Sequence, residues 1–303
     1  MSKPKLLVTG LSGLLGSRIQ SIASRWFDLV NLDITEGIDI TNRDQFYEAV
    51  QSHPDAKVLV HLAAFTDVSR AYAQTDDKEG PCYRINVIGT ENVAWACSQN
   101  DLHLIHISTD FVFDGRKEGS YVETDMPNPI EWYGRTKWMA EEAARRTNDR
   151  TIIRLAFPYV AGPAPRPDVI QNIYNKLLEG QELNLFTDQI TTPTFADDIA
   201  NGIAALARVR PAGELFHLVG SSSLTPFDLG LKIARVFNFD ESKIHPSSIE
   251  EYMKKDPRPR HRRLQLSNAK WTAFAQRQGL NKPLTIDEGL ARVVQAQPAP
   301  TKK

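Results

Sequence analysis

Three glycines, Gly10, Gly13 and Gly16, stand between a short apolar run and an amphipathic stretch, and no other feature of the 303-residue chain constrains its fold as tightly. The run before them, Lys5-Leu-Leu-Val-Thr9, reads as a buried strand. The stretch after them carries Leu15, Ile19, Ile22, Ala23 and Trp26 on one helical stripe. Glycine suits such a turn because the backbone can approach an anion with no Cβ in the way. The free N–H groups of the helix that follows then face that anion. A strand, G-x-x-G-x-x-G and a helix together predict a dinucleotide-binding unit in which Gly10, Gly13, Leu14, Leu15 and Gly16 meet the cofactor.

The alternation continues. Strands are expected at about 29–32, 58–62, 102–107 and 151–155, and helices at about 42–51, 81–98 and 136–146, with Pro81 as a first helical residue. Strand–helix alternation implies parallel pairing with helices on both faces, so the fold class is α/β, a Rossmann doubly wound parallel sheet. Beyond residue 160 the pattern loosens after Pro163, Pro165 and Pro167. Helices are expected near 168–179, 195–208, 226–238 and 284–296, and strands near 183–186 and 214–219. The chain therefore divides into a dinucleotide-binding domain over 1–160 and a smaller, partly interleaved substrate part over 161–296, with about 183–220 returning to the first domain. The tail 297–303, with two prolines and no apolar period, is expected to be disordered.

Composition narrows the partners. A net charge of -1 gives no field that would collect polyanions, which argues against nucleic acid and acidic membranes. Cys82 and Cys97 form no disulfide framework and lack metal-ligand spacing, so no metal is expected. The N-terminus enters a strand without the apolar stretch of a signal peptide, and no apolar run of about 18 residues exists. A cytoplasmic enzyme is the expectation.

Asp33 closes the second strand near the ~20-residue spacing of a ribose-binding acid. A carboxylate there accepts from ribose hydroxyls and repels an added phosphate, which favours NAD(H) and leaves NADP(H) open through Arg18 or Arg43. Asp39 and Ile40 stand on the adenine side or, for Asp39, cap a helix. The most specific pattern is Tyr133-Gly-Arg-Thr-Lys137. Residues four apart share a helix face, and a cationic Lys137 beside the phenol favours the phenolate, which suits Tyr133 to proton transfer. Ser108-Thr109-Asp110, at the end of the fourth strand, brings hydroxyls that could hold a carbonyl.

Taken with His61-Leu-Ala-Ala-Phe-Thr66, Asn86-Val-Ile-Gly-Thr-Glu-Asn92, Ile107-Ser-Thr-Asp-Phe-Val-Phe-Asp-Gly115, Tyr121-Val-Glu123, Asp188-Gln189 and Pro193-Thr194, these motifs give a resemblance. The sequence resembles the extended short-chain dehydrogenases/reductases, and within them the dTDP-4-dehydrorhamnose reductases and their relatives, over about residues 5–270. The resemblance implies that Thr109, with Ser108, orients a carbonyl, that Tyr133 protonates it, and that Lys137 holds the nicotinamide ribose. It makes Asn86 a backbone and water relay, and Leu62, Ala63 and Ala64 a cofactor lining. Thr66, Asp110, Phe111, Phe157, Gln189 and Arg258 fall on its substrate side, Arg258 within reach of a diphosphate. A nucleotide-sugar is then the substrate, and a homodimer is an open alternative to a monomer.

Departures lie on the substrate side. Asp67-Val-Ser-Arg-Ala-Tyr72 replaces a Val-Asp-Lys-Ala-Glu-like run, Phe157-Pro-Tyr159 stands where a tryptophan is frequent, and Ile190-Thr-Thr192 replaces a glycine-containing turn. Three functions share this pattern: reduction of a nucleotide 4-keto-sugar, epimerisation or dehydration with retained NAD, and a non-catalytic binding role like that of the regulatory β subunit of methionine adenosyltransferase. Dehydration lacks its second carboxylate, because Phe111 follows Asp110 where the 4,6-dehydratases carry glutamate. Fold alone does not choose among the rest.

Overall fold

The structure, a computed structural model, describes residues 3–296. The first half runs β1 (Lys5–Thr9), α1 (Leu14–Ala23), β2 (Asp28–Asn31), α2 (Arg43–Gln51), β3 (Val58–His61), α3 (Val68–Tyr72), α4 (Pro81–Tyr83), α5 (Gly89–Gln99), β4 (His103–Thr109), α6 (Trp132–Arg145) and β5 (Arg150–Leu155). The second half runs β6 (Pro158–Tyr159), α7 (Val169–Leu178), β7 (Leu183–Phe186), β8 (Thr194–Phe195), α8 (Ala196–Val209) and β9 (Glu214–His217). It ends with α9 (Pro226–Phe237), β10 (Ile244–Ser247), α10 (Ile249–Met253), α11 (Ala269–Arg277) and α12 (Ile286–Ala296).

Six strands form one parallel sheet in the order β2-β1-β3-β4-β5-β9. β3 and β4 are buried along their whole length. Helices cover both faces, so even the polar residues of these strands, such as His61, His103 and His106, are buried. One face packs Ile19 and Ile22 of α1, Ile199 and Ile203 of α8, and Trp271 and Phe274 of α11. The other face packs Phe46 of α2, Val93 and Cys97 of α5, and Ala144 of α6. Each fully buried Leu, Ile or Phe here contributes about 1.5–3 kcal/mol of transfer free energy. The strand order reverses between β1 and β3, and in open parallel sheets a ligand crevice opens at that point, outside the carboxyl ends of the strands.

The second half is not one separate body in sequence. α8 and β9 return to the large sheet, whereas β7 pairs with β10 in a two-stranded sheet of its own. α11, which the sequence pattern did not reveal, also returns and packs beside β9. The remaining core joins Ile170 and Ile173 of α7, Leu229 and Ile233 of α9, and Leu290 and Val293 of α12.

Three local differences from the sequence reading bear on the site. α6 starts at Trp132, ahead of the expected 136, because the Glu131 carboxylate accepts the Tyr133 and Gly134 N–H groups and caps the helix there. The helix opened by Pro81 is interrupted by a π-helical turn at Arg84–Ile88, centred on Asn86. Trp26 falls beyond the end of α1 and is 39% exposed; the turn after Ala23 buries Phe27 instead. The tail 297–303 lies outside the described residues. Among the described residues no helix is long and apolar enough to cross a membrane, and no group of His, Cys, Asp and Glu could hold a metal ion.

Candidate active site

β1 ends at the glycine turn. Gly10 has φ +75°, and a Cβ there would lie 2.6 Å from the Ala63 nitrogen. A Cβ on Gly16 would lie 2.2 Å from the Leu11 carbonyl oxygen. Both positions therefore need glycine, the first for its conformation and both for space. Gly13 caps α1 without a side chain, so the first turn of the helix keeps free N–H groups. This is a cradle that a Cβ would fill, and it fits a dinucleotide pyrophosphate.

Asp33 stands two residues past the end of β2, not on the strand itself. It is buried, and its carboxylate accepts the Ser12 N–H of the glycine turn at 3.0 Å and the Ile34 N–H at 2.8 Å. With Asp39, Ile40, Ala63 and Ala64 it lines a cavity of about 400 Å³. Asp39 also accepts the Thr41 N–H, which fixes the turn before α2. Leu62 is a correction: it packs into the core and lines neither this cavity nor the cleft below. The two arginines left open for an added phosphate are committed elsewhere. Arg18 holds Asp197 through two bonds of 2.6 and 2.9 Å, and Arg43 lies 3.9 Å over the Trp95 ring. The guanidinium that does border the cavity is Arg84, which the sequence reading missed.

A cleft of about 630 Å³ joins the glycine turn to the end of β4. Gly10, Leu14, Leu15, Gly16 and Ala64 line it from the cofactor side, and of the remaining expected residues Thr66, Ser108, Thr109, Asp110, Phe111, Tyr133, Lys137 and Phe157 line it too. Tyr133 and Lys137 share one face of α6, as their spacing requires. Both are buried. The Lys137 ammonium donates to the Ile107 carbonyl at 2.7 Å, and burial brings it down to about 8 against the opposing pull of Glu141. Burial pushes the Tyr133 phenol above its ordinary value, with the Thr109 hydroxyl opposing and Asp110 and Glu131 adding to the rise. Burial thus favours the neutral phenol, which is the form a proton donor needs.

Around this pair the hydrogen bonds sort the remaining residues. Ser108 donates to Glu141 at 2.6 Å, so it backs the site and has no proton for a carbonyl. Glu141 is held in turn by Arg154, whose Nε and Nη2 each donate at 2.8 Å. Asn86 is buried; it accepts the Phe65 N–H and donates to the Phe65 carbonyl and to Thr136. It acts as a clamp between the loop after β3 and α6, and does not line the cleft. Phe157 carries φ +40°, uncommon for a bulky residue, and its ring borders the cleft.

Two expected substrate residues lie elsewhere. Gln189 donates to the His261 carbonyl, and Arg258 is tied to Asp256 and to Ser69, so neither lines the cleft. The wall opposite Tyr133 is formed instead by Arg166, Pro167, Asn172 and Ile173. Arg166 reaches across to the Thr66 hydroxyl at 3.1 Å. The proline-rich join, which has no period to read, hid Arg166 and Pro167, while Asn172 and Ile173 lie on a helix that was expected but whose cleft-facing side was not.

Fold and site together define a dinucleotide-binding α/β protein with a Tyr–Lys pair in its crevice. Residues 4–294 match the family described as RmlD substrate binding domain, and the chain belongs to that family. It is similar to the probable low-salt glycan biosynthesis reductase Agl14 of Haloferax volcanii, 31% identical over 298 residues, 94% of this chain and 95% of that protein. It is also similar to the dTDP-4-dehydrorhamnose reductase of Mycobacterium tuberculosis, at 29% over 274 residues, 88% and 86% of the two chains. Among solved structures, the dTDP-4-dehydrorhamnose reductase of Bacillus anthracis in complex with NADP aligns with a TM-score of 0.85 at 27% identity, covering 97% of this chain and 100% of that one.

Proposed function

We propose that this chain is an NAD(P)H-dependent reductase of a nucleotide-activated 4-keto-sugar. The observation that carries the reading is the shared cleft: a neutral Tyr133 phenol, the Thr109 hydroxyl and the Lys137 ammonium open into the same space as the glycine turn. The names of its relatives, which include several dTDP-4-dehydrorhamnose reductases, support the substrate class.

Gly10, Gly13 and Gly16 would hold the pyrophosphate of a dinucleotide, which in its reduced form would supply the hydride. Tyr133 supplies the proton at the carbonyl oxygen, and Thr109 orients that oxygen by a hydrogen bond. Lys137, already desolvated, holds a ribose hydroxyl and compensates the charge left on Tyr133. Burial of the site keeps water from the reacting atoms and strengthens each of these contacts. Phe157 and the 166–173 wall hold the sugar-nucleotide, whose remote parts position the ketone. We assign NAD(H) as the favoured cofactor because Asp33 borders the adenosine-sized cavity and Arg18 and Arg43 are both committed. NADP(H), found in the Bacillus anthracis relative, stays open through Arg84.

The test is oxidation of NADH and NADPH by purified protein with a panel of nucleotide 4-keto-6-deoxysugars and their nucleotide-free analogues. Turnover that requires the nucleotide supports the reading. Oxidation indifferent to the nucleotide makes the protein a simple carbonyl reductase, and tight dinucleotide binding without turnover makes it a binding subunit.

A further inference from the structure

Thr109 has one hydroxyl proton, and in the structure it is already committed. Its Oγ1 donates to Asp110 Oδ1 at 2.9 Å and accepts the Phe111 N–H at 3.3 Å. A hydroxyl held in this way has one lone pair and no proton left for the cleft. A substrate carbonyl is itself an acceptor, so the two cannot bond until the Thr109 proton is released.

The release has to come from Asp110, which is 2% exposed and borders the same cleft. Its second oxygen, Oδ2, is buried with no hydrogen-bond partner. Among the described residues no Lys, Arg or His forms an ion pair with it. An ionised carboxylate with one oxygen unpartnered in a buried site is costly, whereas a neutral carboxyl has a proton to donate. The donor nearest to use is the bond already made: if Asp110 carries the proton, the Asp110–Thr109 bond can reverse, and the Thr109 hydroxyl turns to the cleft.

We propose that Asp110 is a positioning residue that acts through Thr109: protonated, it donates to Thr109 and frees that hydroxyl to hold the substrate carbonyl; ionised, it takes the hydroxyl back. The inference rests on the reductase reading of the same cleft and adds to it the group that controls carbonyl binding. The surroundings agree. Burial raises Asp110 to about 7, against the opposing pull of the Thr109 hydroxyl and of the nearby Asp110 and Phe111 amides. The groups that face it from α6 are Glu131, itself raised to about 7 and raising Asp110 further, and Tyr133, held neutral. Lys137, one turn on, donates a hydrogen bond to the Ile107 carbonyl. From the segment before α11, His261 packs on Phe111 and is kept uncharged by burial, at about 4.

The sign follows from the direction of the shift. A raised carboxyl stays protonated below about 7 and ionises above it, so the competent form is lost as pH rises. Loss of one donor to a developing oxyanion lowers turnover by roughly 10²–10³-fold, so kcat/KM should fall to a low plateau and not to zero.

The experiment measures kcat/KM from pH 5.5 to 9.5 for the wild type, Asp110→Asn, Asp110→Ala, Thr109→Ala and Glu131→Gln, with dinucleotide affinity as the check of folding. The wild type is expected to fall by about 10²-fold across the range. Neither Asp110 variant can ionise, so both lose the alkaline fall and their ratio to wild type rises with pH. Thr109→Ala is low and flat, and Glu131→Gln keeps the fall. An alkaline fall that persists in both Asp110 variants overturns the proposal, as does a fall that Glu131→Gln abolishes. A second readout needs no substrate: the infrared difference between wild type and Asp110→Asn should show a protonated carboxyl band at pH 6 that vanishes by pH 9. Its absence at pH 6 overturns the proposal even if the reductase reading stands, and its presence keeps the proposal if no ketone is turned over.

Discussion

The two walls of the cleft are built differently. The wall of β4 and α6 is tied down by buried bonds: Lys137 to the Ile107 carbonyl, Ser108 to Glu141, Glu141 to Arg154, and Glu131 to the amides that open α6. The wall of residues 166–173 is anchored on its own side, where buried Asp168 caps α7 and accepts the Val160 N–H, and it reaches across the cleft through an exposed guanidinium, Arg166, to the Thr66 hydroxyl in the loop after β3. A proton donor must be held within a fraction of an ångström of its target, whereas a substrate pocket can tolerate adjustment. The difference teaches where each kind of specificity resides. Chemistry belongs to the rigid wall, and the choice of sugar belongs to the loosely tied one.

The largest effect expected from breaking this contrast is on chemistry alone. Tyr133→Phe removes the transferable proton and keeps the ring that packs edge-on against Phe111. Turnover should fall by about 10²–10⁴-fold while dinucleotide affinity stays within a factor of three or so. A variant that turns over at the wild-type rate removes Tyr133 from the role assigned to it. Steady-state rates and a fluorescence titration of NADH decide the matter.

Next in size is the buried support. Glu141 and Arg154 have side chains 0% and 1% exposed. Glu141→Ala leaves a buried guanidinium without its partner and also frees Ser108, which should cost about 3–5 kcal/mol of stability. Replacing both residues by well-packed apolar side chains should cost much less, because the isolated charge is what destabilises. Urea unfolding of the single and double variants separates the two. Equal losses would mean that packing, not the uncompensated charge, dominates.

Such a support was not legible in the sequence, and the reason is physical. Gly10–Gly16 and Tyr133–Lys137 are local patterns in which spacing along the chain fixes spacing in space, so the turn and the helix face could be read directly. The direction of an ammonium group is not fixed by spacing. Lys137 was expected to act on Tyr133, and the structure shows one of its three N–H donors bonded to the Ile107 carbonyl of the preceding strand. Ser108 looked like a carbonyl ligand because it adjoins Thr109, but successive strand residues point to opposite faces and Ser108 meets Glu141. Gln189 and Arg258 were misplaced because their partners, His261 and Asp256, lie in a segment with no period. The parallel sheet was readable from β1 to β5, while the return of α11 to it depends on Trp271 and Phe274 meeting Phe216, a contact between distant parts of the chain.

A smaller effect is expected at the far end of the cofactor side. Asp33→Asn keeps an oxygen for the Ser12 N–H and removes the charge at the rim of the cavity. Unit charges a few ångströms apart near a protein surface interact by about 1–4 kcal/mol. The ratio of NADP(H) to NAD(H) affinity should therefore rise by about tenfold. Calorimetric titration of both dinucleotides measures it, and an unchanged ratio would place the 2′-hydroxyl away from Asp33.

The smallest effects test the loosely tied wall itself. Arg166 lines the cleft and Gln189 does not, although only Gln189 was picked out by the sequence reading. A guanidinium facing a diphosphate makes charge-assisted bonds, but Arg166 is exposed, and solvent screens much of their strength. Arg166→Ala should raise the KM for the sugar-nucleotide several-fold, up to about tenfold, with kcat little changed, since the contact serves ground state and transition state alike. Added salt should shrink the difference, because the lost interaction is electrostatic. Gln189→Ala removes only a bond to the His261 carbonyl and should leave both constants within about twofold. The pair of variants, assayed side by side with the nucleotide-sugar and with a nucleotide-free ketone, discriminates the walls. If Gln189→Ala raises KM and Arg166→Ala does not, the diphosphate lies on the side of the 258–263 segment. A drop in kcat for Arg166→Ala would show that this wall also positions the reacting ketone, and the contrast between the two walls would then be weaker than their hydrogen bonds suggest.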